Sequence, residues 1–175
     1  GLLRILVVFI EYDYDIHDSL DTTDLLKGYE KWPKGQLPVW KDSLFDVYNN
    51  EPLKGKITQF YSESSFGNFM VLGDYYPEVI TIKESEVNNI QDGGFNIKTV
   101  LEKINGKPDF KTNSGLKPED FDNWTLTKTG ELKLTPSKDN PHKWDHVMLL
   151  YRNARNLPNS NGRAVPYTFG KLRGF

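Results

Sequence analysis

Cysteine is absent from this chain, and histidine and methionine are scarce, with three and two copies. Without a thiol there can be no disulfide framework, no thiolate metal centre and no cysteine nucleophile; any metal would need imidazole or oxygen ligands. A long apolar run is missing too. The longest, Leu2 to Ile10, is interrupted by Arg4 and falls far short of the roughly 20 residues that span a bilayer. It passes directly into the acidic "EYDYDIHD" with no small-residue cleavage site, which excludes a signal-peptide core. Nor is charge of one sign in surplus. With 22 Lys and Arg against 24 Asp and Glu, the net charge of -2 gives no general attraction to nucleic acid or to an anionic membrane. The nucleophile elbow G-x-S-x-G, the phosphate loop G-x-x-x-x-G-K-[ST] and the zinc helix HExxH are all lacking, so no catalytic constellation stands out.

What is present is material for one core. A chain of 175 residues, 37% hydrophobic and 13% aromatic, suits a single domain spanning residues 1–175. It begins at Gly1, without an initiator methionine and almost on top of a strand, and so reads as a piece of a larger protein.

Leu2 to Tyr12, rich in Val and Ile, has the near-continuous apolarity of a central strand covered on both faces. Asp13 to Pro38 reads as a long surface excursion. Asp42 is placed to cap a helix carrying Leu44, Val47 and Tyr48, which "NNEP" ends. A second helix follows, with Ile57, Phe60, Tyr61 and Ser64 on one face and Gly67 as its left-handed terminator. "NFMVLGDYY" begins a strand, and "EVITIKE" alternates as a half-buried one. The clearest helix is capped by Asn96, with the core stripe Ile97, Val100, Leu101 and Ile104 before Gly106 and Pro108. Two alternating runs around Thr129 and Gly130 suggest a hairpin, "HVMLLYR" is a further apolar strand, and no helix is expected after it. Strands alternating with helices make this an α/β protein, with a mixed, largely parallel β-sheet flanked by helices.

In "PHKWDH", His142 precedes His146 by four residues, a spacing that lets two imidazoles on one helix grip zinc. Yet Lys143 stands where a zinc helix has its carboxylate base, and an ammonium beside a dication opposes binding. The flanking Asn140-Pro141 and "VMLLY" favour extended backbone, which would hold the rings about 13 Å apart at roughly 3.3 Å per residue. No metal site is therefore assigned to the pair. Glu11, Asp13 and Asp15 alternate where the first strand ends, so an extended backbone turns all three carboxylates to one side. They call for a cation, an arginine or water; hard oxygen ligands leave calcium open, although no EF-hand series is present. From Val147 onward there is no acidic residue, while Arg152, Arg155, Arg163, Lys171 and Arg173 are interleaved with Tyr167 and Phe169. Such a segment can bind single strands, but without a recognition motif a local basic tail is the simpler account. If the strands at 2–12 and 146–152 are parallel neighbours, Arg152 or Arg155 comes to the acidic strand end.

Three segments, in order, resemble the N-terminal half of the immune-inhibitor-A-like family of secreted bacterial zinc metallopeptidases. "LRILVVFIEYDYD" is similar to its opening strand and acidic end; "ITQFYSESSFGNFMVLGDYYP" to its helix, Ser-Phe/Tyr-Gly turn and strand; and "KWDHVMLLYRNARN" to the apolar strand that follows. The resemblance implies a zincin-like N-terminal subdomain, a secreted bacterial location, peptide-bond hydrolysis by the parent protein, and the remainder of the peptidase domain as partner. Family members carry the HExxH helix downstream of the third segment, so their zinc ligands and base map onto no residue here. Catalytic, cofactor-binding and metal residues are thus expected to be none in this chain, with zinc implied only for the parent. Phe60, Tyr61 and Phe66 are expected to pack the helix onto the sheet. A rival expectation is a stand-alone extracellular domain binding protein or glycan through exposed Trp32, Trp40 and Trp124.

Overall fold

The structure is a computed structural model and describes residues 1–13, 32–86, 97–105, 107, 109–126, 129, 131–133 and 145–152. Its centre is strand β1, Leu2–Tyr12, whose residues from Ile5 to Tyr12 are all buried. An unbroken apolar run is tolerated there because each face of the strand meets its own core. Leu6, Val8, Ile10 and Tyr12 point into one cluster, and Ile5, Val7 and Phe9 into the other. The alternation follows from the two-residue period of an extended chain.

Three strands pair with β1, all parallel. On one edge β2, Met70–Tyr75, runs alongside Leu2 to Val7, and β3, Ile80–Ile82, alongside Ile10 to Tyr12. Val7 faces Tyr75 and Ile10 faces Ile80, so the chain bulges by two residues between them, at Tyr76 to Val79 around Pro77. A proline there costs no ladder hydrogen bond. On the other edge the last described strand, Val147–Tyr151, pairs with Leu6 to Ile10. The expected half-buried pattern of "ITI" is observed, with Ile80 and Ile82 buried and Thr81 exposed.

Parallel neighbours need crossovers, and these bring the helices. Helix α1, Lys56–Ser64, packs on the Phe9 face and precedes β2. Helix α2, Ile97–Asn105, lies on the opposite face, where Val100 and Ile104 are fully buried, as the stripe in the sequence requires. Its expected Asn96 cap falls outside the described residues. Two short antiparallel strands, β4 (Thr125–Leu126) and β5 (Leu132–Lys133), form the hairpin expected around Thr129; in chain order Val147–Tyr151 is β6. The fold is a mixed α/β one, with a parallel sheet flanked by helices. Among the described residues no helix is long and apolar enough to cross a membrane.

Two local expectations are overturned. The helix expected after Asp42 is only a short 3-10 turn, Lys41–Ser43. The backbone beyond it is used elsewhere: Leu44 O accepts from Ile57 N–H, Asp46 O from Gly73 N–H, and Asp46 N–H donates to Thr58 Oγ1. Residues 44–46 thus lie along the outer edge of β2, so close that a Cβ on Gly73 would come within 2.8 Å of the Phe45 ring and 2.9 Å of Ile5 O. The second concerns α1. It docks through Thr58, fully buried with Oγ1 donating to Val71 O at 2.7 Å, and through partly buried Ile57. Phe60, Tyr61 and Phe66 do not pack it onto the sheet; they are 62%, 41% and 93% exposed. Phe60, two residues beyond Thr58, is turned about 200° round the helix from the face Thr58 sets; Tyr61, three residues beyond, lies nearer that face, but its ring meets Phe60 and Phe69.

The end of α1 departs from expectation by one residue. Gly67 N–H reaches Ser62 O at 2.8 Å and Phe66 N–H reaches Glu63 O at 3.1 Å, the paired bonds of a Schellman ending. The left-handed position that glycine usually fills is taken by Phe66, at φ 54°, and Gly67 follows at φ 76°.

Candidate functional site

In open parallel sheets, ligands enter at the carboxyl ends of the strands, where successive crossovers part to opposite sides. Here that place lies between β1 and β6, because β1 leads to β2 on one side while β6 lies on the other. The anticipated parallel pairing of these strands is present, and Arg152 N–H continues it onto Ile10 O at 2.8 Å. The acidic and basic strand ends meet there through a third element, the turn at residues 32–36. Glu11 is buried; one carboxylate oxygen accepts from Gly35 N–H at 2.7 Å and the other from Thr81 Oγ1 at 3.1 Å. Arg152, also buried, donates from Nε to Trp32 O at 2.6 Å, and Lys34 Nζ donates to Asp13 O at 2.7 Å. Glu11 thus holds a backbone turn, and the partner anticipated for it, Arg152, grips the same turn three residues earlier, at Trp32. Asp15, Arg155 and the basic, aromatic segment beyond fall outside the described residues.

His142 also falls outside them. His146 is half-buried and immediately precedes β6, with its carbonyl accepting from Leu6 N–H at 3.1 Å; it sits on extended, ladder-forming backbone as expected, and burial lowers its pKa. Asp145 beside it is buried, and its carboxylate accepts from the amides of Asn123 and Trp124 at 2.6 and 3.0 Å. Burial raises the Asp145 pKa, against the lowering effect of those two bonds. Among the described residues no three His, Asp or Glu side chains gather where they could hold a metal ion. The described residues therefore do not fit a zinc centre of the family's kind.

The tryptophans have structural partners. Trp32 and half-buried Trp40 stack edge-on against Phe9, with ring centroids 5.7 Å away in each case, and Trp124 Nε1 donates to Leu2 O at 2.7 Å. The exposed aromatic surface lies on α1 instead, where Phe60 and Tyr61 meet edge to face at 5.4 Å, and Tyr61 in turn meets partly buried Phe69, beyond the helix, at 5.9 Å.

A cavity of about 210 Å³ opens beside the end of β2, between that strand, residues 41–47 and the turn at 113–114. Asp42, Asp46 and Asp74 line it with Lys41, Lys54 and Tyr75. Asp42 accepts from Lys41 Nζ at 2.8 Å and from the Tyr75 hydroxyl at 2.9 Å. The lysine bond is the main cause of a lowered Asp42 pKa, while burial first, then donation to Asp42, raises that of Tyr75. Asp74 is 4% exposed; its oxygens accept from Tyr75 N–H at 2.9 Å and Ser114 N–H at 2.8 Å. Asp46 Oδ2 accepts the amides of Lys54 and Gly55 at 2.9 and 3.1 Å. This cavity was missed in the sequence. Its one visible signal was an aspartate inside the apolar run "MVLGDYY", since buried carboxylates are rare without a reason.

Comparison with protein-family models, with curated proteins and with solved structures finds no match to this chain.

Proposed function

We propose that this chain is the N-terminal α/β subdomain of a secreted bacterial zinc-metallopeptidase-like protein of the immune-inhibitor-A-like kind. In this reading it supplies the sheet and one wall of a peptide cleft, and contributes no catalytic residue. One observation carries it: the three segments on which the resemblance rests fall on β1, on α1 with β2, and on β6, and these elements assemble side by side around β1. Segments chosen for their order along the chain are thus also neighbours in space, as parts of one sheet would be. The partner is the remainder of the parent's peptidase domain, and the zinc and the base that activates its water belong to that remainder.

The test compares two polypeptides, this chain and one extended through the coding sequence after Phe175, by zinc content and by hydrolysis of a casein-derived fluorogenic peptide. The extended protein should bind one zinc and cleave the peptide until a chelator is added, and this chain alone should do neither. Chelator-sensitive cleavage by these 175 residues would overturn the reading, as would a downstream sequence without HExxH. A second reading, a stand-alone extracellular domain that binds protein or glycan, is favoured by the exposed Phe60, Tyr61 and Phe66 and no longer by the tryptophans. A stop codon directly after Phe175 would favour it.

A further inference from the structure

The cavity beside β2 presents an imbalance of charge. Lys41 and Asp42 satisfy one another at 2.8 Å, whereas Asp46 and Asp74 are held by backbone amides alone. A carboxylate offers about four lone-pair sites. Asp74 has two of them occupied, and Asp46 Oδ1 has none. Burying a carboxylate is costly unless opposite charge or several hydrogen bonds compensate it, and two amide bonds to Asp74 are a partial compensation. Lys54 also lines the cavity, but its side chain is exposed and its ammonium can remain in water.

We infer that this cavity is a binding site for one small organic cation, the ammonium or guanidinium of a lysine- or arginine-like group, with Asp74 as its main counter-charge and Asp46 as the second. The sign follows from the lining: the Lys41–Asp42 pair cancels, which leaves Asp46 and Asp74 against Lys54 alone; an anion would face the wrong field. A metal ion is disfavoured by placement, because the three carboxylates line one space without converging as a ligand set. Size selects within the cations. Sites for whole drug-sized ligands run to about 300–1,000 Å³, so about 210 Å³ admits a single side chain. The walls are also fixed in advance. Gly73 lets Phe45 and the 44–46 segment close against β2, and Asn113 N–H holds Tyr75 O at 3.0 Å, which delivers the Ser114 amide to Asp74.

The inference goes beyond the scaffold reading and does not depend on it; hydrolysis assays bear on that reading, and amide shifts on the cavity. The experiment is a titration of the ¹⁵N-labelled 175-residue chain with Nα-acetyl-lysine methylamide, Nα-acetyl-arginine methylamide and the neutral Nα-acetyl-norleucine methylamide, observed at the amides of Tyr75, Asn113 and Ser114. At least one cationic probe should shift them saturably, with the norleucine probe at least tenfold weaker; which cation binds more tightly distinguishes a lysine from an arginine source. Asp74→Asn should weaken binding at least tenfold. Should that variant fail to fold, Lys54→Glu on the exposed rim provides the converse test and should tighten binding several-fold. No saturable shift, equal shifts by norleucine, unchanged affinity in whichever variant folds, or tighter binding of calcium chloride at the same amides would overturn the inference.

Discussion

Phe66 offers a substitution whose sign can be worked out before it is made. It occupies the left-handed position at the end of α1, φ 54°, with its side chain 93% exposed. Holding a residue with a Cβ in that region costs about 1–2 kcal/mol, and here almost no packing offsets it. Phe66→Gly removes this cost and keeps the two closing bonds, Phe66 N–H to Glu63 O and Gly67 N–H to Ser62 O, because neither uses a side chain. Against the gain stands the greater freedom of glycine in the unfolded chain, about 0.4–1 kcal/mol. The net expectation is a stabilisation of about 0.5–1 kcal/mol. With a urea slope on the order of 2 kcal/mol/M, the midpoint of equilibrium unfolding should rise by about 0.3–0.5 M. Phe66→Ala is the control: it keeps the Cβ and the strain, loses only the exposed ring, and should stay within about 0.5 kcal/mol of the parent. A Phe66→Gly protein less stable than the parent, or an alanine variant destabilised by more than about 1 kcal/mol, would refute the reasoning by showing that the ring packs.

Thr58→Val keeps shape but leaves Val71 O and Asp46 N–H without their hydroxyl partner; it should cost about 2–3 kcal/mol in denaturant unfolding, with Thr58→Ser recovering most of it. Gly73→Ala drives a Cβ to 2.8 Å from the Phe45 ring and 2.9 Å from Ile5 O; since the carbonyl belongs to the central strand and cannot swing away, a loss of about 2–3 kcal/mol is expected, read as a lower melting temperature. His146 has a pKa depressed by burial, so below about pH 6.5 the unfolded state takes up its proton first and the histidine's contribution to stability is lost as pH falls. His146→Gln should flatten the dependence of the urea midpoint between about pH 7 and pH 5; Asp145, whose pKa burial raises, contributes with the opposite sign in parent and variant alike.

Much of the scaffold was readable residue by residue. The nine-residue run from Leu2 to Ile10 could only be a strand buried on both sides, and the stripe of Val100, Leu101 and Ile104 could only be a helix face, because in both cases local period and total apolarity agree. The 44–48 segment and the docking face of α1 depart from expectation for a common reason. Leu44, Val47 and Tyr48 have helical spacing, but the carbonyls of Leu44 and Asp46 accept from Ile57 and Gly73, partners distant along the chain, and the bonding geometry overrides the pattern. In α1 a threonine hydroxyl with two buried partners decides the docking face, and a polar residue carries no weight in a hydrophobic stripe.

The amino-acid order by itself determined the element types, the core of β1 and the lack of a catalytic motif, since these rest on local period and on residues that are present or absent. Only the tertiary structure decided that Glu11 and Arg152 grip one turn, that the aromatics of α1 face outward, and that Asp42, Asp46 and Asp74 line one cavity. Those outcomes depend on which backbone groups of separate segments satisfy each other, and hydrogen-bond partners tens of residues apart leave no period in the chain.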